Sequence, residues 1–238
     1  MYGTLSANRI TEKSKFESSI SLDLQTNKNV YIDTIYRSKI RDEYIYLRYV
    51  KSITDHWSAG GSTNIQTSTY SNYDLSVRIM PGIEYDIFPY SQSTRRQLRL
   101  LYNIGLEINN YSEETTLNKF KETLVKQSLS ANLSIIQKWG SVSSSLTWSN
   151  YFFNWSYNNL RLSTSANLRI IKGLSFTMMG SFALVHDQIS LPLGGSTLED
   201  VLLQRKMQAT DYSYYTSFGF TYTFGSIYNN VVNPRFGN

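Results

Sequence analysis

Leu160-Arg161-Leu162-Ser163-Thr164-Ser165-Ala166-Asn167-Leu168-Arg169-Ile170 is the stretch whose pattern decides the fold. Leu160, Leu162, Thr164, Ala166, Leu168 and Ile170 hold one parity, while Arg161, Ser163, Ser165, Asn167 and Arg169 hold the other. Successive side chains of a β-strand point to opposite faces, so this is a strand with one apolar face and one polar, charged face. Neither face resembles the other.

The same alternation recurs along the chain. Leu98, Leu100, Tyr102, Ile104, Leu106 and Ile108 oppose Arg99, Asn103 and Glu107; Leu129, Ala131, Leu133 and Ile135 oppose Ser128, Ser130, Asn132 and Ser134. Near the end, Tyr212, Tyr214, Thr216, Phe218, Phe220, Tyr222 and Phe224 oppose a parity in which only Tyr215 is large and aromatic. Eleven such segments run over 2–11, 15–27, 42–53, 56–69, 73–88, 96–110, 123–137, 141–153, 158–171, 174–188 and 211–225. Most reach ten residues. Strands of soluble proteins cluster near about 5–6 residues, whereas a tilted strand crossing a bilayer needs about 9–11.

Composition narrows the class. Among 238 residues, 17% are charged and 14% aromatic, which is not the makeup of a disordered chain. No apolar run exceeds four residues, as in Phe182-Ala183-Leu184-Val185, so no segment reads as a transmembrane helix. With no cysteine, disulfides, zinc ribbons and thiol nucleophiles are excluded. The 23 basic residues are spread among 18 acidic ones and form no nucleic-acid footprint.

Charge decides which face is inside. The polar parity carries Glu17, Asp23, Arg48, Arg78, Glu84, Asp86, Arg99, Glu107, Lys126, Arg161 and Arg169. With the apolar parity inward, about fifty apolar side chains would have to fill a lumen that widens with strand number. With it outward, lipid meets the apolar parity and every charge escapes the roughly 2–4 kcal/mol penalty for Arg or Lys at the bilayer midplane. The expectation is an all-β, antiparallel transmembrane β-barrel. Aromatics near segment ends, among them Trp57, Tyr85, Phe88, Trp139, Phe152, Trp155 and Tyr212, suit girdles at the two interfaces.

Short connections at 12–14, 54–55, 138–140 and 172–173 alternate with long ones at 28–41, 111–122 and 189–210, which places the long loops outside the cell. A last strand that ends in the periplasm, counted back through eleven, leaves Met1 outside too. Bacterial single-chain barrels have an even strand number, so the expected complete barrel has twelve strands and lacks one before Met1 here. Ser196-Thr197-Leu198-Glu199 has capping-box spacing and opens an expected short helix reaching Met207, either capping the rim or plugging the lumen. The barrel is expected over 1–225, and 226–238 as a periplasmic or lumenal tail.

The ending Tyr222-Thr223-Phe224-Gly225-Ser226-Ile227-Tyr228-Asn229-Asn230-Val231-Val232-Asn233-Pro234-Arg235-Phe236 resembles that of a family of uncharacterised outer-membrane barrels from Bacteroidota. His56-Trp57-Ser58-Ala59-Gly60-Gly61, Pro81-Gly82-Ile83-Glu84-Tyr85-Asp86-Ile87-Phe88-Pro89-Tyr90, Ser93-Thr94-Arg95-Arg96 and Asp187-Gln188-Ile189-Ser190-Leu191-Pro192 fit it too. The resemblance implies a barrel in the Gram-negative outer membrane, preceded by a signal peptide, a soluble portion and one further strand. It implies no activity.

Candidate chemistry is thin. His56 and His186 lie 130 residues apart, near opposite rims of the expected barrel, and do not suggest a shared metal site. His186, Asp187 and Ser190 are the residue types of a hydrolase, but a nucleophile and base four residues apart at a strand end rarely converge, and no oxyanion hole is marked. Glu84 and Asp86 share a face about 7 Å apart, a separation glycosidases use; neutralising Arg78 and Arg99 is the simpler role. The glycine pairs 60–61 and 194–195 lack a phosphate-loop pattern.

What remains is a lumen lined by Arg78, Glu84, Asp86, Arg99, Glu107, Arg161 and Arg169. On the polar parity six basic residues face five acidic ones, which argues against a strongly ion-selective ring and for cross-lumen salt bridges. The expected function is a narrow passive pore for small polar solutes, non-enzymatic and without cofactor. The alternative is a plugged scaffold that binds a partner through its outer loops or a preceding region. The lipid bilayer is the expected partner in both.

Overall fold

The computed structural model describes residues 1–31, 34–195 and 206–224. The strands are β1 (Tyr2–Ile10), β2 (Ser14–Tyr31), β3 (Thr34–Ser52), β4 (Trp57–Ser68), β5 (Tyr73–Asp86), β6 (Arg96–Tyr111), β7 (Lys121–Gln137), β8 (Gly140–Tyr151), β9 (Asn158–Ile171), β10 (Leu174–Val185) and β11 (Tyr212–Tyr222). They form one sheet in chain order, β1 through β11. Every neighbouring pair is antiparallel. All eleven alternating segments are therefore strands, with ends displaced by a few residues.

The exception is the long loop expected at 28–41. The β2–β3 ladder runs without interruption from Ser14↔Lys51 to Tyr31↔Thr34, so the segment is a continuation of both strands. Periodicity identifies a strand by its alternation, and a stretch without a clean alternation of apolar and polar residues looks like a loop.

The sheet curls into a barrel wall. One cavity is lined by Gln66 of β4, Tyr73 of β5, Thr147 of β8, Asn159 of β9 and Val185 of β10, and another reaches from Gln97 of β6 to Tyr215 of β11. Strands far apart in order thus face one interior. Glycine makes part of this bend. A Cβ on Gly60 would collide with the Tyr49 carbonyl oxygen, and one on Gly105 with that of Ile79. Both positions point inward, where the missing side chains let neighbouring strands approach and the sheet coil.

β1 and β11 run in the same direction, and among the described residues no ladder joins them. No described helix is long and apolar enough to cross a membrane.

Burial is inverted relative to a soluble domain. Leu129, Ile104, Leu146, Ile83 and Phe218 on the outward parity are all exposed, while Glu107, Asn109 and Ser76 on the charged parity are buried. Register fixes this. Arg48 sits opposite Glu17, Arg78 opposite Glu107 and Arg99 opposite Asp86, so the charged parity faces the lumen on β2, β3, β5 and β6. Aromatic contacts mark both ends of the wall: Trp57 lies 4.7 Å from Tyr85 beside the short turns, and Trp148 lies 6.1 Å from Trp155 beside the long loops.

Candidate functional site

The lumen wall is built from ion pairs between adjacent strands. Arg78 on β5 donates from Nε to Glu107 of β6 at 2.7 Å. Glu107 also accepts from Asn109 Nδ2 at 3.1 Å and from the Tyr151 hydroxyl at 3.1 Å, which satisfies a carboxylate with no exposed surface. On β2 and β3, Glu17 binds Lys15 at 2.7 Å and is also paired with Arg48. Arg99 approaches Glu84 only to 3.8 Å. Its Nε is buried and has no hydrogen-bond partner among the described residues.

Among the described residues Asp86 takes no part in an ion pair, although Arg99 is its cross-strand neighbour. Its Oδ1 accepts from the backbone N–H of Phe88 and of Leu98, each at 3.2 Å, and so holds the β5–β6 turn. Two corrections to the sequence reading follow. Arg78 is neutralised by Glu107 rather than by Glu84 or Asp86, and these wall pairs link adjacent strands rather than spanning the lumen. Neighbouring strands bring opposite charges within reach at almost no cost in side-chain extension; a barrel's width does not.

Arg161 and Arg169, four repeats of the pleat apart on β9, are exposed and form no ion pair among the described residues. Arg161 lines a cavity of about 490 Å³ at the long-loop end, together with Arg78, Lys126, Tyr151 and Asp187. Arg99 lines a cavity of about 290 Å³ with Lys15, Arg48 and Glu84 and another of about 350 Å³ at the short-turn mouth. It also borders a third of about 520 Å³ whose walls are largely serine.

The mouth at the long-loop end is crossed by residues 186–195, which turn inward instead of projecting. Asp187 accepts from Lys126 Nζ at 3.1 Å and from Asn159 Nδ2 at 3.0 Å. Burial raises the Asp187 carboxyl, yet the Lys126 charge and these hydrogen bonds outweigh it and hold the group below its usual range. Lys126 also stands 4.5 Å over the Tyr151 ring. Ile189, 1% exposed, packs with Leu124 and Tyr151.

Beyond it the loop pairs with residues 113–116: Thr116 N–H donates to Leu191 O at 2.8 Å, and Leu193 N–H to Glu114 O at 2.7 Å. Asn72 ties the two loops to the β4–β5 turn. It donates to Glu113 O at 3.0 Å and Ser190 O at 2.9 Å and accepts from Glu113 N–H at 2.8 Å. Its φ of 61° is one that asparagine tolerates better than most residues.

This strap was not legible in the sequence. Lys126 was recognised on the polar parity, but its partner lies 61 residues away in a loop. The helix expected from Ser196 falls outside the described residues except for Lys206 and Met207, which are not helical; the tail 226–238 lies outside as well. As for the hydrolase residue set, the Asp187 carboxylate is committed to Lys126 and Asn159. Near the other mouth His56 bonds the Asp86 carbonyl at 2.6 Å. Among the described residues no group of three or more His, Cys, Asp or Glu is placed to hold a metal ion.

No protein-family model matches the chain, and no curated protein does. Among solved structures, the chain is similar to the NanC porin in a rhombohedral crystal form. The identity is 8% and the TM-score 0.49, over 94% of this chain and 93% of that one.

Proposed function

We propose that the protein is a narrow passive pore of the Gram-negative outer membrane, admitting small polar solutes, with no catalytic step and no cofactor. The observation that carries this reading is the inverted surface: an exposed apolar belt encloses an interior of charged and hydroxylic side chains with cavities along it. Such a body is stable only where its outside meets hydrocarbon and its inside meets water. The resemblance of the closing sequence to Bacteroidota outer-membrane barrels supports the same location. Arg78, Glu84, Arg99, Arg161 and Arg169 give the path its polarity, with Glu107 buried behind Arg78.

The test is conductance of the full chain in planar bilayers. Stepwise openings that change with Arg99→Ala support the pore; silence from protein shown by heat-modified gel mobility to be folded refutes it. A second reading, a plugged scaffold acting through its outer loops on a protein partner, is favoured by one observation. Residues 186–195 cross the mouth with Ile189 and Ser190 buried. Openings that appear only when the strap is loosened by Asn72→Ala would favour that reading.

A further inference from the structure

The formal charges on the lumen parity nearly balance, but the surfaces they present do not. In each wall pair the cation is the more exposed partner: Arg78 is 32% exposed against 0% for Glu107, Arg48 41% against 20% for Glu17, and Arg99 43% against 23% for Glu84. Each carboxylate sits back against the wall and each guanidinium stands in front of it. The pair is neutral from a distance and positive at contact range, because interactions within a few ångströms are not averaged by screening.

The cavities show the consequence. Between the mouths, Lys15, Arg48 and Arg99 face one carboxylate, Glu84. In the cavity under the strap, Arg78, Lys126 and Arg161 face one carboxylate, Asp187. In the serine-rich cavity Arg99 is the lone charge. Of these four cavities the one at the short-turn mouth is acidic, with Glu12, Asp55, Glu84 and Asp86 outnumbering Lys15 and Arg99. Three of the cations are also weakly neutralised. Arg161 and Arg169 form no ion pair among the described residues, and Arg99 meets Glu84 only at 3.8 Å.

We propose that the lumen selects small hydrophilic anions, with Arg99 and Arg161 as the residues that determine selectivity. A carboxylate or halide entering past the acidic mouth meets Arg99, which borders three adjoining cavities, and then Arg161 beneath the strap. Planar guanidinium donors suit such anions, and the serine wall replaces part of their hydration. The inference rests on the pore reading for permeation but not for binding, and its test separates the two.

The full chain is reconstituted in planar bilayers under a KCl gradient, and the reversal potential gives the permeability ratio. Chloride is expected to be favoured over potassium by about threefold or more, as focusing by a lined cleft predicts. Arg99→Gln combined with Arg161→Gln should bring the ratio to near unity, and Arg161→Gln alone should shift it part of the way. Arg161 forms no ion pair whose loss would disturb folding. Preference for potassium, or a ratio unmoved by the double substitution, overturns the proposal. If the folded protein does not conduct, the pore reading fails, and chlorine NMR line width of the detergent-solubilised protein decides the anion site by itself. Broadening by wild type that the double variant loses sustains it; no broadening by wild type overturns it.

Discussion

Glu107 carries no exposed surface, and its stability depends on one guanidinium, one amide and one phenol. Removing the guanidinium leaves a buried carboxylate short of its counter-charge. Arg78→Met is therefore expected to destabilise the folded barrel by about 3 kcal/mol, read by urea titration of protein folded in vesicles. Adding Glu107→Gln should recover most of that loss, since a buried pair replaced as a unit costs far less than a pair broken. The sequence made both residues visible, because Arg78 and Glu107 stand on the polar parity of strands that follow one another. It did not make Tyr151 or Asn109 visible as their partners. Tyr151 closes an alternating run and looks like one more girdle aromatic, and nothing local distinguishes a phenol that donates inward from one at an interface.

The strap of residues 186–195 depends on two anchors that respond to different perturbations. Asn72→Ala removes three hydrogen bonds and puts alanine at a φ of 61°. Amide exchange of Glu113, Thr116 and Leu193 should quicken in that variant while the β6–β7 ladder stays protected. The Lys126–Asp187 anchor responds to acid. A carboxylate held low in the folded protein contributes its stabilisation above the unfolded value and loses it as pH falls through the folded one. Asp187 is held below its ordinary 3.8, so the anchor survives mild acidification and releases only beneath that value, a window that exchange measured against pH would locate. Strands were the legible elements, since a period of two survives any tertiary arrangement. Loops carry no period, and so 189–195 was legible only as the start of a long loop that caps the rim or enters the lumen, not as a strap tied to 113–116 and Asn72. An error of another kind befell 28–41, where polar sequence concealed a continuing ladder.

The molecule as a whole is sorted by parity, and one strand can test it. Leu162 and Ser163 are adjacent on β9 and face opposite media. Leu162→Arg should cost about 2–4 kcal/mol of folding into lipid vesicles if the outward belt lies at mid-bilayer, whereas Ser163→Arg should stay within about 0.5 kcal/mol. Equal costs would mean that the outward face does not meet hydrocarbon. The barrel class and the inside-outside assignment were legible because hydrophobic sorting repeats on every strand, and local pattern gives that kind of information reliably. One further property of the assembled wall comes from the unequal heights of its strands. The β3–β4 ladder stops at Asp42↔Ser68, yet β2 and β3 continue together to Tyr31↔Thr34. At about 3.3 Å per residue the two-stranded ribbon rises some 25 Å above the top of β4. If the long-loop end is outermost, that ribbon stands beyond the top of β4 and is exposed to an antibody, a phage fibre or a protease approaching the cell. An epitope inserted at its tip would report from intact cells which way the barrel is threaded.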